Sequence, residues 1–312
     1  MLRIVDDEGG TAEAVLKCGP ASEWREPYTC EAAALELASA HDLAVPRVLG
    51  SQLEGPEVAL LLSRVGGTTA IPRTASTERL HELGRVAATI HRVARAPDDV
   101  LPLRERHTPW LHEALWRRWA SRYRAASANA KDDVLRAFVT EHPRGGQSLM
   151  TGTVQWSIDG ARETLASSES TPLLDEAGER ILDVPVPDEP MVFVHGDLWQ
   201  GNTLWDGDRC TGVIDWEAAG AGHPGVDLGC LRWDAVMFFG PHAADEVLAG
   251  WEQASAAAAT QVAYWDVVAA LNYPADMSGL LSTFRECGRS DLDAPTVTER
   301  RDAFVEDALT RL

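Results

Sequence analysis

Three polar side chains, Asp197, Asn202 and Asp215, occur in a context suited to moving a phosphoryl group from a magnesium nucleotide. Asp197 and Asn202 belong to His195-Gly196-Asp197-Leu198-Trp199-Gln200-Gly201-Asn202, which reads H-x-D-x-x-x-x-N, the pattern of a kinase catalytic loop. Asp215 follows the apolar pair Val213-Ile214, at a strand end where a metal-binding carboxylate would sit. Magnesium favours hard oxygen donors and takes only a few from protein, so an amide and a carboxylate fit its needs. Phosphoryl transfer asks for little covalent chemistry, because its transition state is loose and catalysis rests on alignment and charge neutralisation. Asp197 is therefore the group expected to accept the proton of an acceptor hydroxyl and to aim its oxygen at the γ-phosphate. With an ordinary pKa of about 3.9 it cannot deprotonate an alcohol beforehand, so proton transfer is expected late. His195 reads as a residue that packs beneath the loop and fixes its backbone, in preference to a base.

These residues need elements to bring them together. Thr203 to Trp205 and Cys210 to Ile214, joined through Asp206-Gly207, read as a hairpin. With a loop over Asp206 to Arg209, Trp205 pairs with Cys210 and Asn202 falls opposite Val213, which brings both ligands to one end beside Asp197. Met191 to Val194 is expected to be the strand that leads into the loop. Lys17 and Lys131 are the only lysines, against 26 arginines. Lys17 ends the strand-like run Ala14-Val15-Leu16, as does the V-A-I-K lysine that holds nucleotide phosphates. An ammonium and a guanidinium do not substitute for one another at such a site.

Leu2 to Val5 and Ala12 to Cys18 are expected to form a hairpin turned at Glu8-Gly9-Gly10, with a helix from Cys30 to Ala40 and a buried strand from Val58 to Leu62. The Gly66-Gly67 pair and Pro72 mark a change of composition, so residues 1–66 are assigned to a small first lobe and 67–312 to a larger one. There, Leu80, Leu83, Ala87 and Ile90 recur at helical spacing, as do Leu111, Leu115 and Trp119. Trp110, Trp116, Trp119 and Tyr123 form an aromatic group read as helix packing. The weakly periodic stretch 121–191 is expected to hold helices separated by loops, and the chain from Val226 onward to be mainly helical. Gly220-Ala221-Gly222-His223-Pro224-Gly225 satisfies G-x-G-x-x-G, but its position after the metal-ligand strand and its proline argue against a dinucleotide fold.

Composition excludes several classes. A chain of 312 residues with 45% hydrophobic and 24% charged content can bury a substantial core. Its net charge of -20 argues against nucleic acid as a partner and reads first as a charge that keeps the protein soluble, with a cationic small molecule the partner it would suit. The apolar runs are far shorter than the roughly 18 residues of a membrane span, and Asp6, Asp7 and Glu8 near the start do not resemble a signal peptide. No membrane partner and a cytoplasmic location are expected. Five scattered cysteines without a CxxC pair suggest reduced thiols, not zinc.

The loop, the metal-ligand strand, Leu83-Gly84 through Ile90-His91, and Ile214-Asp215-Trp216-Glu217 through Asp227-Leu228 together resemble the aminoglycoside phosphotransferase family, relatives of choline kinase and protein kinases. The resemblance reaches most of the chain and implies an α+β, two-lobed, protein-kinase-like fold with a β-rich N-lobe and a larger helical C-lobe. It implies Asp197 as catalytic base, Asn202 and Asp215 as magnesium ligands, and Lys17 on the nucleotide phosphates with Glu31 as its partner. Ser63, Arg64 and Val65 would form the hinge against adenine, with Asp227 a buried anchor for the loop. ATP or GTP would be the donor, and a hydroxylated, antibiotic-type acceptor such as an aminoglycoside or a macrolide the substrate, with residues 121–191 shaping its pocket and Asp234, Asp266 and Glu286 available to attract amino groups. The family also places a phosphate-covering hairpin ahead of the first strand pair. Too few residues precede Lys17 to supply it, so Gly9-Gly10 reads as a plain turn. A metabolic kinase of amino alcohols or amino sugars and a nucleotide-sensing pseudokinase are the alternatives.

Overall fold

Four antiparallel strands make the sheet of the first lobe. In the computed structural model, which describes residues 2–5, 11–104, 119–141 and 169–312, strand β1 (Leu2–Val5) pairs with β2 (Thr11–Pro20), and β2 with β4 (Glu57–Ser63), whose other edge carries β3 (Val48–Gln52). Lys17 stands opposite Leu60. Alternation gives β4 its sidedness, with Val58, Leu60 and Leu62 buried and the residues between them more open. No such alternation marks β3, where four of the five residues are exposed. The turn residues Glu8 to Gly10 lie outside the described residues.

Helix α1 (Ala21–Ala40) starts at Ala21, not at Cys30 as the sequence suggests, and carries Pro27 inside it. A proline in a helix interior removes one backbone hydrogen bond, but packing outweighs that cost here. Trp24 stacks on Tyr28 at 5.4 Å and closes against Gly19, where a Cβ would lie 2.4 Å from the indole. Leu35 and Ala38 of α1 join Val58, Leu60 and Leu62 in the core of this lobe.

The larger lobe opens with α2 (Thr77–His91), capped by Ser76, whose Oγ accepts from Arg79 N at 3.0 Å. Leu80, Leu83, Ala87 and Ile90 are all buried, so its stripe faces the core. After a two-residue strand β5 (Leu103–Arg104) and the helical residues 119–125 come α3 (Lys131–Glu141), α4 (Pro172–Asp183), α5 (Pro224–Phe239), α6 (His242–Ser255), α7 (Val262–Leu271), α8 (Leu281–Glu286) and α9 (Ala294–Arg311). A second hydrophobic core joins α4, α5, α7 and α9. Trp119 and Tyr123 pack with Leu135 and Phe138 in a separate small cluster, while Trp110, Trp116, Leu111 and Leu115 lie outside the described residues. Among the described residues, no helix is long and apolar enough to cross a membrane.

Two small sheets frame the loop of interest. Strand β9 (Gly220–Gly222) runs between β5 and β6 (Val192–Val194), and β7 (Thr203–Asp206) pairs with β8 (Arg209–Val213). The glycine-rich segment is thus a short strand followed by α5, and Gly225 packs under Trp265 instead of opening a βαβ unit. A β-rich lobe followed by a larger helical one is the two-lobed α+β arrangement.

Candidate active site

Strand β6 delivers the chain to His195 and then to Gly196, whose φ of +80° and close approach to Ala218 leave no room for a side chain. A Cβ there would lie 2.0 Å from the Ala218 carbonyl oxygen. Below the loop, the fully buried Asp227 accepts hydrogen bonds from His195 N and Gly196 N, each at 2.8 Å. His91 Nε2 meets the same carboxylate at 3.1 Å, and Trp251 Nε1 donates to His91 Nδ1 at 3.0 Å. An indole N–H can only donate, so His91 Nδ1 is an acceptor and the neutral ring donates through Nε2. Burial works against the Asp227 charge, yet His91, His195 and these hydrogen bonds hold its carboxyl below the ordinary range. His195 accepts from Asp197 N through Nδ1 at 3.3 Å and donates through Nε2 to Ile214 O at 2.9 Å. Burial holds this ring below its usual pKa, and with both nitrogens committed it offers no free base.

Asn202 turns back on the loop, its Nδ2 donating to Asp197 O at 2.9 Å and to Asp197 Oδ2 at 3.1 Å. That geometry spends the amide hydrogens and leaves the amide oxygen as a donor for a cation. Asp197 is solvent-accessible but closely walled by protein. Lost hydration first, and the Asp215 carboxylate second, push its carboxyl up to about 7. Behind it, the buried Asp234 accepts from Gln200 N at 3.1 Å and Gln200 Nε2 at 3.0 Å. Burial pushes this carboxyl up to about 7 as well.

The β7–β8 hairpin corrects the expected register. Trp205 does face Cys210, but a bulge between Leu204 and Trp205 puts Thr203, not Asn202, opposite Val213. Thr211, the extra residue, donates through Oγ1 to Gly66 O at 2.6 Å. Asn202 O still accepts from Ile214 N at 2.9 Å, so the two chain segments remain tied at the ligand end. Asp215 follows in a left-handed conformation, φ 68° and ψ 59°, unusual for a residue with a side chain.

That turn directs Asp215 toward the first lobe. Lys17 Nζ lies 2.7 Å from Asp215 Oδ1, 2.6 Å from Glu31 Oε2 and 2.6 Å from Glu217 Oε1. Burial alone would lower the lysine pKa, but the Glu31 and Asp215 carboxylates outweigh it and keep the ammonium charged. Glu31, almost wholly buried, is pushed up by burial despite Lys17.

Lys17, Glu31 and Asp215 therefore meet in one cluster, and Asp197 and Asn202 in direct contact beside it. Ser63, Arg64 and Val65 stand at the end of β4, with Ser63 opposite Ala14. Ser63 Oγ accepts from Arg47 N at 2.8 Å, Arg64 pairs with Glu13, and Val65 packs against Gly212. Of the acidic residues considered for attracting amino groups, Asp266 is buried and held by Arg232 at 2.9 and 3.0 Å, so its charge is already neutralised. Asp234 is committed to Gln200, and Glu286 is exposed.

Glu217 is the residue the sequence reading passed over. Its letters stand in Ile214-Asp215-Trp216-Glu217, but its meeting with Lys17, 200 residues away, depends on the left-handed turn at Asp215 and carried no local signal. The Trp251 to His91 link carried no local signal, since 160 residues separate the partners.

Comparison with known proteins bears on the family and the fold. The family model for the phosphotransferase enzyme family matches residues 2–270. A viomycin phosphotransferase of Streptomyces vinaceus is 31% identical over 157 residues, 46% of this chain and 48% of that protein, so the chain matches about half the length of this relative. Among solved structures, macrolide 2'-phosphotransferase MphH from Brachybacterium faecium superposes with a TM-score of 0.52 at 20% identity, covering 97% of this chain and 86% of the other. The AMP-bound spectinomycin phosphotransferase APH(9)-Ia gives 0.53 at 14% identity, over 97% and 89%. At these identities the superpositions speak for the fold, and the kinase-like two-lobed architecture is the one they share with this chain. With the model match running through the first lobe, the catalytic-type loop and the helices behind it, the chain belongs to the phosphotransferase enzyme family.

Proposed function

We propose that this chain transfers the terminal phosphoryl group of ATP, or of GTP, to a hydroxyl of a small antibiotic-type acceptor of the aminoglycoside or macrolide class. The observation that carries the reading is the convergence of Asp197, Asn202 and Asp215: Asn202 Nδ2 donates to Asp197 Oδ2 at 3.1 Å, and Asn202 O accepts at 2.9 Å from Ile214 N, the residue before Asp215. The donor set also fits magnesium, since the free oxygen of Asn202 and the carboxylates of Asp215 and Glu217 are hard ligands. Glu31, Asp215 and Glu217 offer ligand atoms within 4.8 Å of one another. Magnesium, when bound, would supply charge neutralisation on the nucleotide phosphates.

In this reading Lys17 holds phosphate oxygens, with Glu31 fixing the lysine, and Ser63 to Val65 lie along adenine. Asp197 orients the acceptor hydroxyl and takes its proton as the new P–O bond forms, and its raised pKa makes it a better late proton acceptor than an ordinary aspartate. Asp227 keeps the loop backbone in place through His195 N and Gly196 N. The antibiotic phosphotransferases among the relatives support an antibiotic-type acceptor.

The test is magnesium-dependent turnover of ATP and GTP against a panel including viomycin, spectinomycin, macrolides, amino alcohols and amino sugars. Turnover of an antibiotic, reduced by about 10² to 10⁴ in Asp197→Asn with nucleotide binding retained, is the expected result. Turnover confined to amino alcohols or amino sugars would indicate a metabolic kinase, and metal-linked nucleotide binding without turnover of any acceptor a nucleotide sensor.

A further inference from the structure

Helix α5 has two working faces. Asp227 and Asp234 point to the catalytic-type loop, whereas Gly225, Leu228, Gly229 and Arg232, at helical spacing on another face, line a cavity of about 320 Å³. The far wall is α7 with Trp265, the roof is the end of α6 with Trp251, and Glu189 closes one side. Arg232 and Asp266, the other charged lining groups, neutralise each other through the bidentate pair. Among the described residues, Glu189 is then the one lining charge without a counter-ion. Its Oε1 is buried and unpartnered, and so is Nε1 of Trp265, a side chain only 2% exposed. Buried polar atoms without partners are uncommon in proteins, and a carboxylate oxygen left so on a lining residue makes Glu189 the distinctive polar feature of this apolar cavity.

We infer that this cavity is a binding site for an organic ammonium with an aromatic or similarly flat apolar body, its charge on Glu189 and its rings against Trp251 and Trp265. Charge complementarity selects the cation, because a neutral guest leaves the Glu189 carboxylate uncompensated in an apolar wall. Burial already pushes the Glu189 carboxyl above its ordinary pKa, the direction that a bound cation reverses. Two indoles add the cation–π attraction that favours such ligands. The volume sits at the lower end of ligand pockets, which suits a guest the size of an arylalkylamine. The site is independent of the phosphoryl-transfer reading, being on the face of α5 turned away from Asp197.

Tryptamine and its neutral analogue tryptophol, titrated into the full chain with ¹⁵N-labelled indoles, test the proposal. The Trp265 side-chain signal is assigned with Trp265→Phe. Saturable movement of that signal by tryptamine, at least about fivefold weaker binding of tryptophol, and about tenfold weaker tryptamine binding in Glu189→Gln are expected from a desolvated cation contact. Val262→Trp, which enlarges a lining side chain so that it occupies the cavity, is expected to abolish the response. Glu189→Gln alters a partly buried residue outside any helix or strand without changing its size, so it keeps the test valid if Val262→Trp fails to fold. A Trp265 signal indifferent to millimolar tryptamine, equal affinity for the two probes, or unaltered binding in Glu189→Gln overturns the inference.

Discussion

At the scale of single residues, the carboxylates around the loop are set apart by environment. Asp227, fed by hydrogen-bond donors, sits below the ordinary range, while Asp197 and Asp234 are pushed up to about 7. In the proposed reaction Asp197 works as an anion, so kcat/KM, which reports the free enzyme, is expected to fall below about pH 7. A cation bound beside Asp197 favours its charged form, so the acid limb of kcat should lie at lower pH than that of kcat/KM. Coincident limbs in a pH profile of both parameters would count against Asp197 as the titrating group. Asp234 gives a stability test. Its folded pKa lies above its unfolded one, so the native state binds the extra proton between about pH 4 and 7, and stability drains away as pH rises through that window. Asparagine reproduces the protonated acid, with an oxygen for the two Gln200 donors and an N–H2 in place of O–H. Asp234→Asn should therefore match the wild type near pH 4 and exceed it by a margin that grows toward pH 8, measured by urea unfolding. A margin independent of pH would show that the carboxyl does not titrate in that range.

Elements were legible where period and punctuation agreed. Leu80, Leu83, Ala87 and Ile90 announced α2 because a 3.6-residue stripe needs no distant partner to be seen. The loop motif and the strand before Asp215 were legible because their chemistry fixes residue types at fixed spacing. The start of α1 was not, since Pro27 signals a break locally and only Trp24, Tyr28 and Gly19 packing together overrules it. Nor was the bulge in β7–β8, whose extra residue, Thr211, meets Gly66 across 145 residues. The crossing of α2 and α6 is another such long-range fact. A Cβ on Gly84 would lie 2.1 Å from Val247 O, and one on Gly250 2.2 Å from His81 O. Backbone, unlike a flexible side chain, cannot swing aside. Gly84→Ala should cost at least the roughly 1–3 kcal/mol typical of overpacking, and Gly250→Ala a comparable amount. The double variant should cost less than the sum, because separating the helices once relieves both clashes. Denaturant midpoints decide it, and a Gly84→Ala protein as stable as the parent would mean that the helices do not approach so closely.

Across the whole molecule, the two lobes meet through charge at Lys17. Its ammonium reaches Glu31 in its own lobe and Asp215 and Glu217 in the other, three carboxylates around one cation in a chain of net charge -20. Lys17→Met leaves those carboxylates facing one another, with Glu31 only 1% exposed. The loss should fall below the roughly 3–5 kcal/mol of breaking a fully buried pair, because Asp215 and Glu217 keep part of their hydration. If repulsion is the cause, removing one charge relieves it, so Lys17→Met/Glu31→Gln should recover much of the lost melting temperature in EDTA. A divalent cation relieves it too, and Mg²⁺ should raise the melting temperature of Lys17→Met more than that of the wild type, whose own ammonium competes for the same oxygens. Equal Mg²⁺ responses in the two proteins, in thermal unfolding at constant ionic strength, would mean that lysine and metal do not share these ligands, and the proposed placement of magnesium beside Asp215 would have to be abandoned.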